Sequence, residues 1–159
     1  MKTKLLFLIT FLSLTIISCN KDEEEIYYDF DEKTFNTKQK QWKEQNIQNY
    51  KYVQYYMSSA TGPISETIVV RNGIATSESD ERSAFIGTLS DVFSRIENDF
   101  NDGKSNQQLP IYGISVKIKC NENYHYLEDV TFSTSYKGDV VGGMWYDLKI
   151  SNFEILEEE

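Results

Sequence analysis

Several residue types are scarce in this chain, and each scarcity excludes a class of site. Two of the 159 residues are cysteines and one is a histidine, so neither a disulfide framework nor zinc-type ligand spacing can be drawn. Only 16 basic residues stand against 25 acidic ones, and no arginine cluster offsets that negative charge. Such a surface repels phosphate backbones. The sequence therefore predicts no nucleic-acid partner, no metal site and no cofactor.

Long hydrophobic runs are missing as well. The longest apolar stretch covers residues 5–17 and is broken only by single Ser and Thr residues. At about 1.5 Å per helical residue it spans roughly 20 Å, less than the ~30 Å hydrocarbon core of a bilayer. Lys2 and Lys4 precede it. This pattern favours a removable export signal over a permanent transmembrane helix.

The segment that follows carries a processing pattern. Ile16-Ile17-Ser18-Cys19 resembles the cleavage box of bacterial lipoproteins, in which a peptidase cuts before a cysteine that carries a diacylglyceryl group. Residues 20–25 resemble the lysine-plus-acidic tag that directs such proteins to the outer face of the outer membrane in Bacteroidetes. The resemblance implies lipidation of Cys19 and a cell-surface location, with a periplasm-facing anchor as the alternative. The acidic run also suits a solvated spacer.

These features predict the domain organisation. We expect a signal peptide over residues 1–18, a lipidated cysteine and acidic tether over 19–30, one domain over 31–156, and an acidic tail over 157–159. Removing the signal peptide takes away two lysines and no acids, so the net charge of −9 becomes more negative by two units. The eleven tyrosines and nine phenylalanines supply enough apolar area for a core in a chain of this length.

Two helices are predicted from apolar periodicity. The first runs from an N-cap at Asp31 to about residue 46, with Phe35 and Trp42 on one face. The second has a cap formed by Thr88 and Asp91 and a stop at Gly103. Its apolar stripe follows i, i+3, i+4, i+7 and i+11 spacing and consists of Leu89, Val92, Phe93, Ile96 and Phe100.

The remaining segments predict strands. Residues 49–57, 64–71 and 74–76 form one group, and Asn72-Gly73 supplies the chemistry of a type I′ hairpin turn. A second group begins with an alternating strand whose buried side chains would be Tyr112, Ile114, Val116, Ile118 and Cys120. Two more strands follow near residues 130–134 and 146–150. The order α-β-β-(β)-α-β-β-β predicts a single two-layer α+β domain, with an antiparallel sheet of five or six strands and both helices on one face.

These motifs, taken in order, resemble an uncharacterised group of bacterial lipoproteins that share a domain of unknown function. The matching features are a helical Trp42, the strand motif Asn49-Tyr50-Lys51-Tyr52, the hairpin Val70-Arg71-Asn72-Gly73, and Leu89 with Phe93 and Ile96 on the second helix. The resemblance covers roughly residues 41–153. It implies a fold and an anchored location but no activity, because none is assigned to the group.

Catalytic chemistry is poorly represented. His125, between two tyrosines, is predicted to be a loop or strand-end residue. It could pair with Cys120 as a thiol–imidazole dyad. However, Cys120 falls in the apolar register of its strand, and a buried thiol is a poor nucleophile. The sequence therefore predicts no catalytic residue and a protein that is not an enzyme.

The tyrosines are the better candidates for binding. Tyr50, Tyr52 and Tyr56 share one face of the predicted strand, and Tyr55 lies on the other. A two-layer fold buries only one sheet face, so the sequence predicts exposed tyrosines that stack on sugar rings or anchor a protein partner.

The leading hypothesis is thus a non-catalytic, lipid-anchored binding or accessory module for an unknown glycan or protein. One alternative is that Tyr27 and Tyr28 of the tether partly cover the aromatic strand, which would remove the exposed surface. Another is an inhibitor of a foreign hydrolase, with the Asn72-Gly73 tip entering the cleft of its target. An enzyme is the third possibility.

Overall fold

A computed structural model describes residues 26–79, 85–105, 111–137 and 143–157. The predicted signal peptide, Cys19, most of the acidic tether and the last two residues lie outside the described ranges. Within them the chain forms two helices and seven strands. The predicted α+β class is confirmed.

The helices are α1 (Glu32–Glu44) and α2 (Leu89–Ser105). The strands are β1 (Tyr27–Phe30), β2 (Tyr50–Ser58), β3 (Gly62–Arg71), β4 (Ile74–Ser77), β5 (Ile111–Cys120), β6 (Leu127–Tyr136) and β7 (Trp145–Ile155). All seven belong to one sheet in the order β1-β5-β6-β7-β2-β3-β4.

The sheet differs from the prediction in strand number and direction. It has seven strands instead of five or six, and the additional strand is β1, whose residues the sequence assigns to the tether. β1 pairs with β5 in parallel, so the sheet is mixed, whereas all other pairs are antiparallel. Four residues are too few for alternation to show in the sequence. β1 is held by packing, because Phe30 lies 5.1 Å from Phe35 and 4.8 Å from Phe100, measured between ring centroids.

The core lies between the sheet and the two helices. Phe35 and Trp42 of α1 are buried, as is every member of the predicted stripe on α2. The two helices meet through an edge-to-face contact of Phe35 and Phe93, with ring centroids 5.3 Å apart. They cover one face of the sheet and leave the other uncovered, which we call the open face.

Both predicted helix starts are confirmed. The Thr34 N–H donates to Asp31 Oδ1 at 2.9 Å. At α2, the Asp91 N–H donates to Thr88 Oγ1 at 3.1 Å and the Thr88 N–H donates to Asp91 Oδ2 at 2.8 Å, a reciprocal capping box.

The predicted stop at Gly103 is wrong, because α2 continues to Ser105. A β-carbon at residue 103 would lie 2.8 Å from Ile114 Cδ1. The glycine therefore allows close packing of the helix on β5.

The start of β5 also departs from the predicted alternation. The register with β6 shifts between Ile111 and Gly113, so Tyr112 occupies a bulge. Tyr112 is exposed and Ile111 is buried, which reverses the predicted orientation of this pair. At the far end of the strand, Cys120 is only partly buried.

Candidate functional site

Three of the four predicted binding tyrosines belong to the core. Tyr50, Tyr52 and Tyr56 are 2%, 0% and 7% exposed beneath the helices. The Tyr50 hydroxyl accepts from the Leu89 N–H at 2.9 Å, and the Tyr52 hydroxyl donates to the Gly87 carbonyl at 2.6 Å. The prediction that these three form an exposed surface is wrong, because the helices cover the face on which they lie.

Tyr55 is the member of the set that lies on the open face. It is half-buried, and its hydroxyl lies 3.5 Å from Met57 Sδ. The idea that Tyr27 and Tyr28 cover this strand is also wrong. They belong to β1, at one edge of the sheet, whereas β5, β6 and β7 separate β1 from β2.

The predicted hairpin at Asn72-Gly73 is confirmed. Both residues have positive φ, 51° and 74°, and β3 pairs with β4 across the turn. The Asn72 N–H donates to Asn49 Oδ1 at 2.8 Å, and the Gly73 N–H donates to the Gln48 carbonyl at 3.1 Å. These bonds hold the turn against the chain that enters β2. An inhibitor that inserts this tip would need a projecting loop, and the turn instead forms a fixed corner.

The open face carries rows of alternating charge. Strand register places Lys119, Asp129, Lys149 and Tyr55 in one cross-strand row. Lys149 Nζ lies 3.8 Å from Asp129 Oδ2. In the neighbouring row the hydroxyl of Thr131 donates to Asp147 Oδ1 at 2.9 Å. The polar groups of each pair thus bind each other across the middle of the sheet.

A groove crosses the open face where β7, β2 and β3 run side by side. It consists of two adjoining cavities of about 290 and 330 Å³ that share Val53, Thr67 and Glu78. We call it the open-face groove and define it by Lys51, Val53, Ser65, Thr67, Glu78, Asn152 and Glu154.

Local backbone geometry shapes this groove. β4 pairs only with residues 68–71 of β3 and ends at Ser77, and the Glu78 N–H then donates to the Thr67 carbonyl at 3.0 Å. On the other side, the register between β2 and β7 shifts beside Lys51 and Val53, where Asn152 has a φ of 52°. The irregularities on either side of paired strands leave a depression between them.

The lining of the groove is both apolar and polar. Val53 lines it together with Glu78, Asn152 and Glu154. Lys51 Nζ is 3.0 Å from Glu154 Oε2. Tyr55 pairs with Ser65, so its ring lies beside the groove on the same face. Carboxylate and amide oxygens accept hydrogen bonds from hydroxyl or amine groups, and they repel anionic ligands.

Another cavity, of about 490 Å³, lies beside α2 and is lined in part by Arg95 and Asp99. The guanidinium of Arg95 lies 4.8 Å from the ring centroid of Tyr56 and 5.3 Å from that of Tyr146. Arg95 Nε is 3.7 Å from Asp99 Oδ2, to which the Tyr146 hydroxyl donates at 2.7 Å. Because these groups satisfy one another, the cluster fastens α2 to the sheet. The two hydrogen bonds that join α2 to the sheet here connect residues 39 and 47 positions apart, so no short sequence motif predicts the cluster.

The two residues considered for catalysis, Cys120 and His125, lie near each other at one end of the β5–β6 connection, and Lys38 is a neighbour of both. His125 is in the loop between β5 and β6, as predicted, with a φ of 64°. Its Nδ1 is 3.3 Å from Lys38 Nζ. Burial raises the pKa of the Cys120 thiol, which keeps the thiol protonated at neutral pH and weakens it as a nucleophile.

Comparison of the chain with family models, with curated proteins and with solved structures gives no match. The resemblance to the lipoprotein group therefore stays a prediction. Among the described residues, no helix is both long enough and apolar enough to span a bilayer.

Proposed function

We propose that this chain is a lipid-anchored, non-catalytic binding module of the bacterial outer membrane, and that it captures a glycan in the open-face groove. The anchor is supported by the sequence pattern at residues 16–25. The binding site is supported by one observation, a groove lined by hydrogen-bond acceptors with an adjacent tyrosine, on a sheet face that no element of the described chain covers.

A glycan suits the chemistry of this groove. Sugar hydroxyls donate to carboxylate and amide oxygens, here those of Glu78, Glu154 and Asn152. Hydrogen bonds to ionised acceptors are about twice as strong as neutral ones. The Tyr55 ring offers apolar area with little loss of side-chain entropy, which favours stacking against a sugar ring. A neutral polymer also avoids the repulsion that an anionic one would meet.

The proposal is tested by titrating the full-length protein with a panel of neutral oligosaccharides from glucans, xylans and mannans, using calorimetry. We expect Glu78→Gln and Tyr55→Ala each to weaken binding of the cognate sugar by about tenfold, equivalent to ~1.4 kcal/mol. Glu97→Gln is the matched control, because Glu97 is exposed on α2, away from the groove.

The control variant should bind as the unmodified protein does. Equal affinity of all variants would contradict the groove as the site. Failure of every neutral glycan, together with capture of a protein that depends on Glu78, would replace the glycan with a protein partner.

A further inference from the structure

Exposed apolar side chains gather at one end of the sheet. β1, β5 and β7 begin at this end and β6 ends there, as the pairs Tyr27 with Gly113 and Ser133 with Trp145 show. Among the described residues, nine large hydrophobic side chains are exposed, and six of them lie here: Ile26, Tyr27, Tyr28, Tyr112, Met144 and Trp145. We call this set the aromatic end. In a chain whose other exposed surfaces are rich in charge, such a concentration marks an interaction site.

The predicted tether joins the domain at the aromatic end. Cys19 precedes Tyr27 by eight residues, which span at most about 29 Å when fully extended. Cys19 is the proposed lipidation site, so the tether joins the domain to the bilayer through the aromatic end. The opposite end of the ten-residue strand β5 lies roughly 33 Å farther along the sheet.

The side chains at this end suit a lipid interface. Tyr and Trp combine an apolar ring with a polar group and concentrate at the level of lipid headgroups. The tyrosine at residue 27 is 62% exposed and Trp145 is 37% exposed. Lys104 lies at the same end, with its Nζ 5.6 Å from the ring centroid of Tyr28, where an ammonium could reach lipid phosphates.

With the domain tethered to the bilayer by the proposed anchor, even a weak contact between the two is enough to orient it. A surface that is covalently held within a few tens of ångströms of its partner binds it at a high effective concentration. A free protein partner would lack this advantage, whereas the bilayer is within reach throughout the life of an anchored molecule.

We infer that the aromatic end rests on the lipid surface into which the anchor inserts, and that this contact orients the domain. The inference rests on the proposed lipid anchor. It places the open-face groove away from the membrane, because Lys51 pairs with Glu154 near the opposite end of the sheet. The groove would then face the medium and any polymer in it.

Tryptophan fluorescence can test this contact in the lipidated full-length protein, reconstituted in phosphatidylcholine vesicles that contain bromine-labelled phosphatidylcholine. Trp145 should be quenched, whereas Trp42 is 3% exposed and lies in the core. Trp145→Phe therefore leaves only the buried reporter. We expect quenching of the unmodified protein to exceed that of this variant at least threefold.

A double variant, Tyr27→Ser with Tyr112→Ser, keeps both tryptophans and should reduce quenching of Trp145. Mass spectrometry of Cys19 and flotation with the vesicles report on the anchor separately. Protein that fails to float and carries no lipid would overturn the proposed anchor. Protein that floats but shows equal quenching with and without Trp145 would overturn only the contact of the aromatic end.

Discussion

At the scale of single residues, the tyrosines show what alternation can and cannot predict. The sequence correctly separates Tyr50, Tyr52 and Tyr56 from Tyr55 by face. It does not show which face is covered, because both carry large aromatic side chains. That choice depends on where the apolar stripes of α1 and α2 lie, which is a property of the tertiary structure.

Burial of these phenols makes stability sensitive to alkaline pH. Burial raises the pKa of Tyr50 from 10 to about 12, and the pKa values of Tyr52 and Tyr146 are raised for the same main reason. Between pH 10 and 12 the unfolded chain loses these protons while the folded chain keeps them, so stability falls as pH rises.

We expect the free energy of unfolding to decrease by roughly 2–3 kcal/mol per such group across this window. Urea titrations at several pH values, with tyrosinate absorbance followed in parallel, measure both quantities. In Tyr50→Phe the decrease should be smaller. A free energy of unfolding that stays level up to pH 12 would contradict the assignment.

At the scale of elements, the sequence correctly predicts the features that depend on residues close together in the chain. The α2 stripe, both N-caps and the Asn72-Gly73 turn are fixed by residues within a few positions of one another, and all are confirmed. β1 and the bulge at Tyr112 are missed because each depends on a distant partner. Tyr27 pairs with Gly113, and the bulge is defined only by the register with β6.

The capping box of α2 provides a direct test. Thr88→Ala removes the hydroxyl that accepts the Asp91 N–H, so we expect a loss of about 1 kcal/mol in unfolding free energy. Thr88→Ser should restore most of it. Thr37→Ala is the matched control, because the Thr37 hydroxyl donates only to the Lys33 carbonyl on the exposed surface of α1.

The control variant should change stability by less than ~0.5 kcal/mol. Urea unfolding of the four proteins makes the comparison. Equal effects of the two alanine variants would show that the box does not stabilise the start of α2.

At the scale of the whole molecule, the fold class follows from the order of elements, whereas the candidate site does not. The open-face groove draws residues from β2, β3 and β7 and also includes Glu78, just after β4. Together these residues span positions 51 to 154. Only strand order and register bring them together. Of the predicted binding residues, Tyr52 contributes to the lining of the groove although its side chain is buried, and Tyr55 lies beside the groove on the open face.

Attachment of the whole molecule is predicted to depend on one thiol. With two or three acyl chains on Cys19, and ~0.8 kcal/mol for each buried CH₂, the protein should remain in the membrane fraction after washing. Cys19→Ala should move most of it to the soluble fraction, because the contact proposed for the aromatic end is too weak to hold the protein by itself. Cys120→Ala is the control and should stay with the membrane. Continued membrane attachment of the Cys19 variant would contradict the anchor.

The position of β7 has a consequence for how the chain is made. β1, β5 and β6 form one half of the sheet and β2, β3 and β4 form the other, and β7 alone joins them. Tyr50 therefore finds its partner Ile155 only after a further 105 positions have been synthesised. Pairing over such separations is slow. The two halves of the sheet therefore join into one sheet only after β7 has been synthesised.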